Sequence, residues 1–91
     1  MNIIICDDRI DDRKNLSDLL SDYGEKKNYE FAITEYDSGE QLCEEQSALE
    51  ACQILFLDIN MQGMDGLKTA MRIKEKYPKL PVVLVTAYMN Y

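Results

Sequence analysis

A chain of 91 residues, 46% apolar and 30% charged, suits one small globular domain over residues 1–91 and is too apolar for a disordered segment. Its net charge of −7, with no histidine and no basic cluster beyond Lys26-Lys27, argues against direct nucleic-acid binding. Three cysteines without Cys-x-x-Cys spacing argue against zinc, and no run is long enough for a signal peptide or a membrane span, so a reducing, cytoplasmic location is expected.

Ile3-Ile4-Ile5-Cys6 is continuously apolar, the pattern of a strand covered on both faces. Leu16, Leu19, Leu20 and Tyr23 follow at helical spacing and predict an amphipathic helix ending near Gly24, with Glu25 to Asn28 as a charged loop. Glu30 to Tyr36 alternates more weakly and reads as a strand nearer the sheet edge. Asp37-Ser38-Gly39-Glu40 resembles a capping box opening a second helix, with Leu42, Cys43 and Leu49 inward. Ile54 to Leu57 is a second buried run, and Gln62 to Gly66 is a loop with two glycines. A third helix has Leu67, Ala70, Met71 and Ile73 or Tyr77 on its inner side and is stopped by Pro78. Val82 to Val85 is a last buried strand. The alternation predicts an α/β fold: an open, doubly wound parallel sheet of four strands with three helices.

In such sheets ligands bind outside the carboxyl ends of the strands. Asp7, Asp8, Asp58 and Thr86 all fall there. Asp58 suits a nucleophile that attacks a phosphoryl group and forms an acyl phosphate, although an aspartate ending a strand is more simply a loop cap. Asp7-Asp8 suit magnesium, which takes one or two carboxylates and keeps waters and phosphate oxygens as its other ligands, although acidic residues also favour a helix start. Asp11-Asp12 are of that second kind. Thr86 offers a hydroxyl to a phosphoryl oxygen. Cys6, Met61 and Met64 read as core.

Asp7-Asp8, the run Asp58-Ile59-Asn60-Met61-Gln62-Gly63-Met64-Asp65-Gly66, and Val82 to Thr86-Ala87 together resemble the receiver domain of two-component response regulators over the whole chain. The resemblance implies a flavodoxin-like sheet of order 2-1-3-4 and a histidine kinase that phosphorylates Asp58. It implies Mg2+ held by Asp7, Asp8, Asp58 and the main-chain carbonyl of Asn60, with Thr86 bonding the phosphoryl group. The opening Ile-Ile-Ile-Cys-Asp-Asp and the long loop after the first helix are similar to regulators carrying a LytTR-type DNA-binding domain, which would contact DNA in place of this segment.

Two features depart from the family. Proline usually stands where Gln62 does. Receivers also continue with a further helix, a fifth strand and a fifth helix, and with a lysine that pairs with the phosphoaspartate. The expectation is therefore a truncated receiver whose last strand and sheet face lie open and drive homodimerisation. Two other functions compete: a phosphorylation-incompetent interaction module, and a magnesium-dependent phosphohydrolase working through an aspartyl phosphate. Asn60 counts against the hydrolase, which places a second aspartate at that position.

Overall fold

The computed structural model describes residues 1–85, so Thr86 and the residues after it lie outside the described residues. The three apolar runs and the alternating segment pair as strands β1 (Asn2–Cys6), β2 (Ala32–Tyr36), β3 (Ile54–Asp58) and β4 (Val82–Val85). All neighbours are parallel and the order is β2-β1-β3-β4, as expected. Between the strands run α1 (Ile10–Lys27), α2 (Gly39–Glu44), α3 (Gln46–Ala51) and α4 (Gly66–Lys76).

One face of the sheet carries the main core. Ile4, Cys6, Leu55 and Leu57 pack there with Leu42 of α2, Leu49 of α3 and Ile73 of α4. Leu55 and Leu57 are fully buried, and truncating such a residue to alanine costs about 2–5 kcal/mol of a total stability of about 5–15. Ile3 and Ile5, at alternate positions of β1, are buried on the opposite face, where α1 packs.

Several local expectations are corrected. The second helix is two helices, so the sheet carries four helices among the described residues rather than three. The break is at Glu45, whose φ of −89° and ψ of 69° leave the helical region. No proline or glycine marks it. α1 also runs past Gly24 to Lys27 and stops at Asn28, which takes the left-handed conformation with φ of 58°. Gly24 is a point of close approach instead, because a side chain there would press on the Phe31 ring. Lys26-Lys27 thus form the last helical turn, where positive charge suits the dipole.

The inner faces also differ. Leu19 and Tyr23 of α1 and Leu67 and Met71 of α4 are exposed, whereas Thr69 and Ile73 supply the buried face of α4. The registration of α4 is set by its ends. Asp65 is its N-cap, accepting from the Lys68 N–H at 2.8 Å, and Gly66 lies directly against the end of β3. The capping box at Ser38 forms in part: its hydroxyl accepts from the Gln41 N–H at 3.1 Å. Glu40 turns elsewhere.

Candidate metal and phosphoryl site

The strand order reverses between β1 and β3, so the connections leaving these neighbours diverge and open a crevice beyond their carboxyl ends. Register places the site residues within it. Cys6 pairs with Leu57, so Asp7 and Asp58 follow at the same level on adjacent strands. Carboxylate oxygens of Asp7, Asp8 and Asp58 lie within 4.8 Å of one another. Asp7 and Asp58 are buried, at 8% and 3% exposure.

Hydrogen bonds hold each carboxylate. Asp7 Oδ1 accepts from the Arg9 N–H at 2.9 Å, and Asp58 Oδ1 accepts from the Asn60 N–H at 3.1 Å. Asp8 Oδ2 accepts from the Gln62 N–H at 3.0 Å, across 54 positions of sequence. Asp8 Oδ1, by contrast, is a buried oxygen without a hydrogen-bond partner among the described residues. Burial drives the Asp7 carboxyl up to about 6; the Arg9 N–H opposes this, and the neighbouring Asp58 charge adds to it. A cluster this crowded with negative charge, with one buried acceptor unsatisfied, fits a hard divalent cation.

The simpler reading of Asp7-Asp8 as a helix cap does not describe them. The N-cap of α1 is Arg9, with no side-chain cap bond, while Asp11 and Asp12 occupy its first acidic turn. Asn60 is exposed in the loop after β3. Thr86 lies outside the described residues.

Three residues support the site in roles the sequence did not indicate. Arg13 of α1 donates to the Asp7 carbonyl and to Glu35 of β2, both at 2.9 Å, and so ties the end of β1 in place. Glu40 Oε2 accepts from the Met64 N–H at 3.1 Å and anchors the loop between β3 and α4. Gln62 acts through its main chain, which no side-chain pattern reveals.

Among known proteins, residues 3–91 match the family described as the response regulator receiver domain. The response regulator protein FleR of Pseudomonas aeruginosa is 38% identical over 79 residues, covering 87% of this chain and 16% of FleR. The transcriptional regulatory protein ZraR of Escherichia coli is 33% identical over 90 residues, covering 99% of this chain and 19% of ZraR. The chain thus spans less than a quarter of the length of either relative. Among solved structures, response regulator protein TrrA from Thermotoga maritima, in complex with Mg(2+)-BeF, superposes with a TM-score of 0.81 at 27% identity, over 97% of this chain and 70% of TrrA. Family, fold and carboxylate cluster agree: this chain belongs to the receiver domains of two-component response regulators, the phosphoacceptor modules that histidine kinases phosphorylate.

Proposed function

We propose that Asp58 is the phosphoacceptor of this receiver, and that Asp7, Asp8, Asp58 and the Asn60 carbonyl hold Mg2+ beside it. The observation that carries this reading is the meeting of three carboxylates within 4.8 Å, one of them with a buried, unpartnered oxygen. An Asp58 carboxylate oxygen attacks phosphorus, forming the P–O bond as the P–N bond to the kinase histidine breaks, and the departing imidazole takes up a proton. The Asn60 N–H orients the nucleophile by holding Oδ1. Bound magnesium would neutralise charge on the incoming phosphoryl group. Thr86, by its position after β4, is assigned to bond that group once transferred.

The parent regulator works in the cytoplasm, and its output is DNA-binding transcription control in a domain other than this one. The name of ZraR as a transcriptional regulatory protein supports that output. So does the charge of −7, which suits a signalling module better than a nucleic-acid surface.

The test is intact mass after incubation with acetyl phosphate and Mg2+. A single phosphoryl adduct is expected in the native chain and none in Asp58→Asn. An adduct that survives this substitution, or none in the native chain, would overturn the assignment.

A further inference from the structure

The loop between β3 and α4 is pinned at two points by acidic side chains from other elements. The Gln62 N–H donates to Asp8 Oδ2 at 3.0 Å and the Met64 N–H donates to Glu40 Oε2 at 3.1 Å. Gly63 stands between them with φ of 73°, which turns successive N–H groups toward different partners. A proline at position 62 would have no N–H to give, so the bond to Asp8 depends on a residue there that keeps one. The carboxylate it holds is one assigned above to the metal.

We propose that the Gln62 main-chain N–H is a positioning group that orients Asp8 for the cation, a role that rests on the metal reading above. An N–H bond to a carboxylate is charge-assisted and directional, so it fixes the rotation of the carboxylate plane. With Oδ2 engaged, Oδ1 is the oxygen left to ligate, and it is the one that is buried and unpartnered. Monodentate ligation through Oδ1 leaves the Gln62 bond intact. The carboxylate is thus oriented before the ion arrives, and less rotational freedom is lost on binding. The Gln62 side chain has no part in this, since it is exposed and only the main chain makes the contact.

Removing a hydrogen bond behind a ligating group costs metal affinity by about 10–100-fold. Magnesium titrated into the full chain by calorimetry should bind Gln62→Pro about tenfold more weakly than the native protein. Gln62→Ala, which keeps the N–H, should match the native protein. A second measurement covers the case in which the proline variant does not fold. Amide exchange at residue 62 should be slow in the native chain, with and without Mg2+, and should accelerate in Asp8→Ala. Equal magnesium affinity in folded Gln62→Pro, or unchanged exchange at residue 62 in Asp8→Ala, overturns the proposal and leaves the acceptor reading standing. Failure of the native chain to bind Mg2+ at all overturns this proposal together with the metal reading it rests on.

Discussion

Gly66 lies so close beneath Asp58 that a side chain could not stand between them. A Cβ at Gly66 would run into the Asp58 carbonyl oxygen and the Cα of Ile59. Both neighbours are main chain and cannot swing aside. The Gly66 N–H also donates to the Ile59 carbonyl at 3.3 Å, so the first turn of α4 is stitched to the end of the strand that presents Asp58. The packing of a helix start and the placement of Asp58 are one constraint.

Gly66→Ala should therefore destabilise the fold by about 1–3 kcal/mol, the usual cost of overpacking a tight contact. Urea denaturation of the two proteins measures it. The substitution improves intrinsic helix propensity, so a gain in stability would show that the contact yields easily.

Asp7 should make the metal-free protein less stable as pH rises. Its carboxyl is raised from an ordinary 3.8 to about 6, so the folded state holds this proton more tightly than the unfolded chain. That contribution is full below about pH 4 and is lost as pH climbs through about 6. The comparison with Asp7→Asn isolates the contribution of this one carboxyl. In the absence of divalent ions, the native midpoint minus that of Asp7→Asn should fall between pH 4 and 6. A flat difference would contradict it. Magnesium affinity should rise over the same interval, because the proton competes with the ion.

Asp58→Asn should raise the stability of the metal-free protein, because it removes one of three mutually repelling charges from a crowded cluster. A gain of about 1 kcal/mol, or roughly 4–8 °C in Tm for a domain of this size, is the expected scale. Adding Mg2+ should reverse the order, since the native site gains stability by binding and the neutralised site gains less. A variant that is less stable than the native protein without metal would show that the Asn60 N–H bond outweighs the repulsion.

Cys6 should be inert to thiol reagents in the folded state. It is fully buried, and its thiol is pushed up to about 12, chiefly by burial and then by the charge of Asp7. Iodoacetamide at pH 8 should modify the half-buried Cys43 first, and should reach Cys6 only after unfolding in urea. Peptide mapping of the native, alkylated chain reads this out. Rapid labelling of Cys6 would mean that the end of β1 opens.

Much of the architecture was legible from local pattern. Three apolar runs and one alternating segment separated by helical spacing are enough for a parallel sheet, and a carboxylate after an apolar run lies at a strand end wherever the strand goes. Asp7, Asp8 and Asp58 could be assigned to one rim on that basis. Where each helix stops and which way it faces was not legible, because those depend on neighbours far along the chain. Gly24 looked like a stop and is a contact with Phe31; Glu45 looked helical and is a break. Leu19, Leu67 and Met71 had the right spacing for a core and the wrong side for it. The capping box put Glu40 on its own helix, whereas the fold gives it to the Met64 N–H. Only the tertiary structure decided how the three carboxylates are held, since the Gln62 N–H that restrains Asp8 sits 54 positions away and belongs to the main chain. Residue types set what chemistry the strand ends could offer. Backbone geometry across the crevice set which Asp8 oxygen accepts a main-chain N–H and which does not.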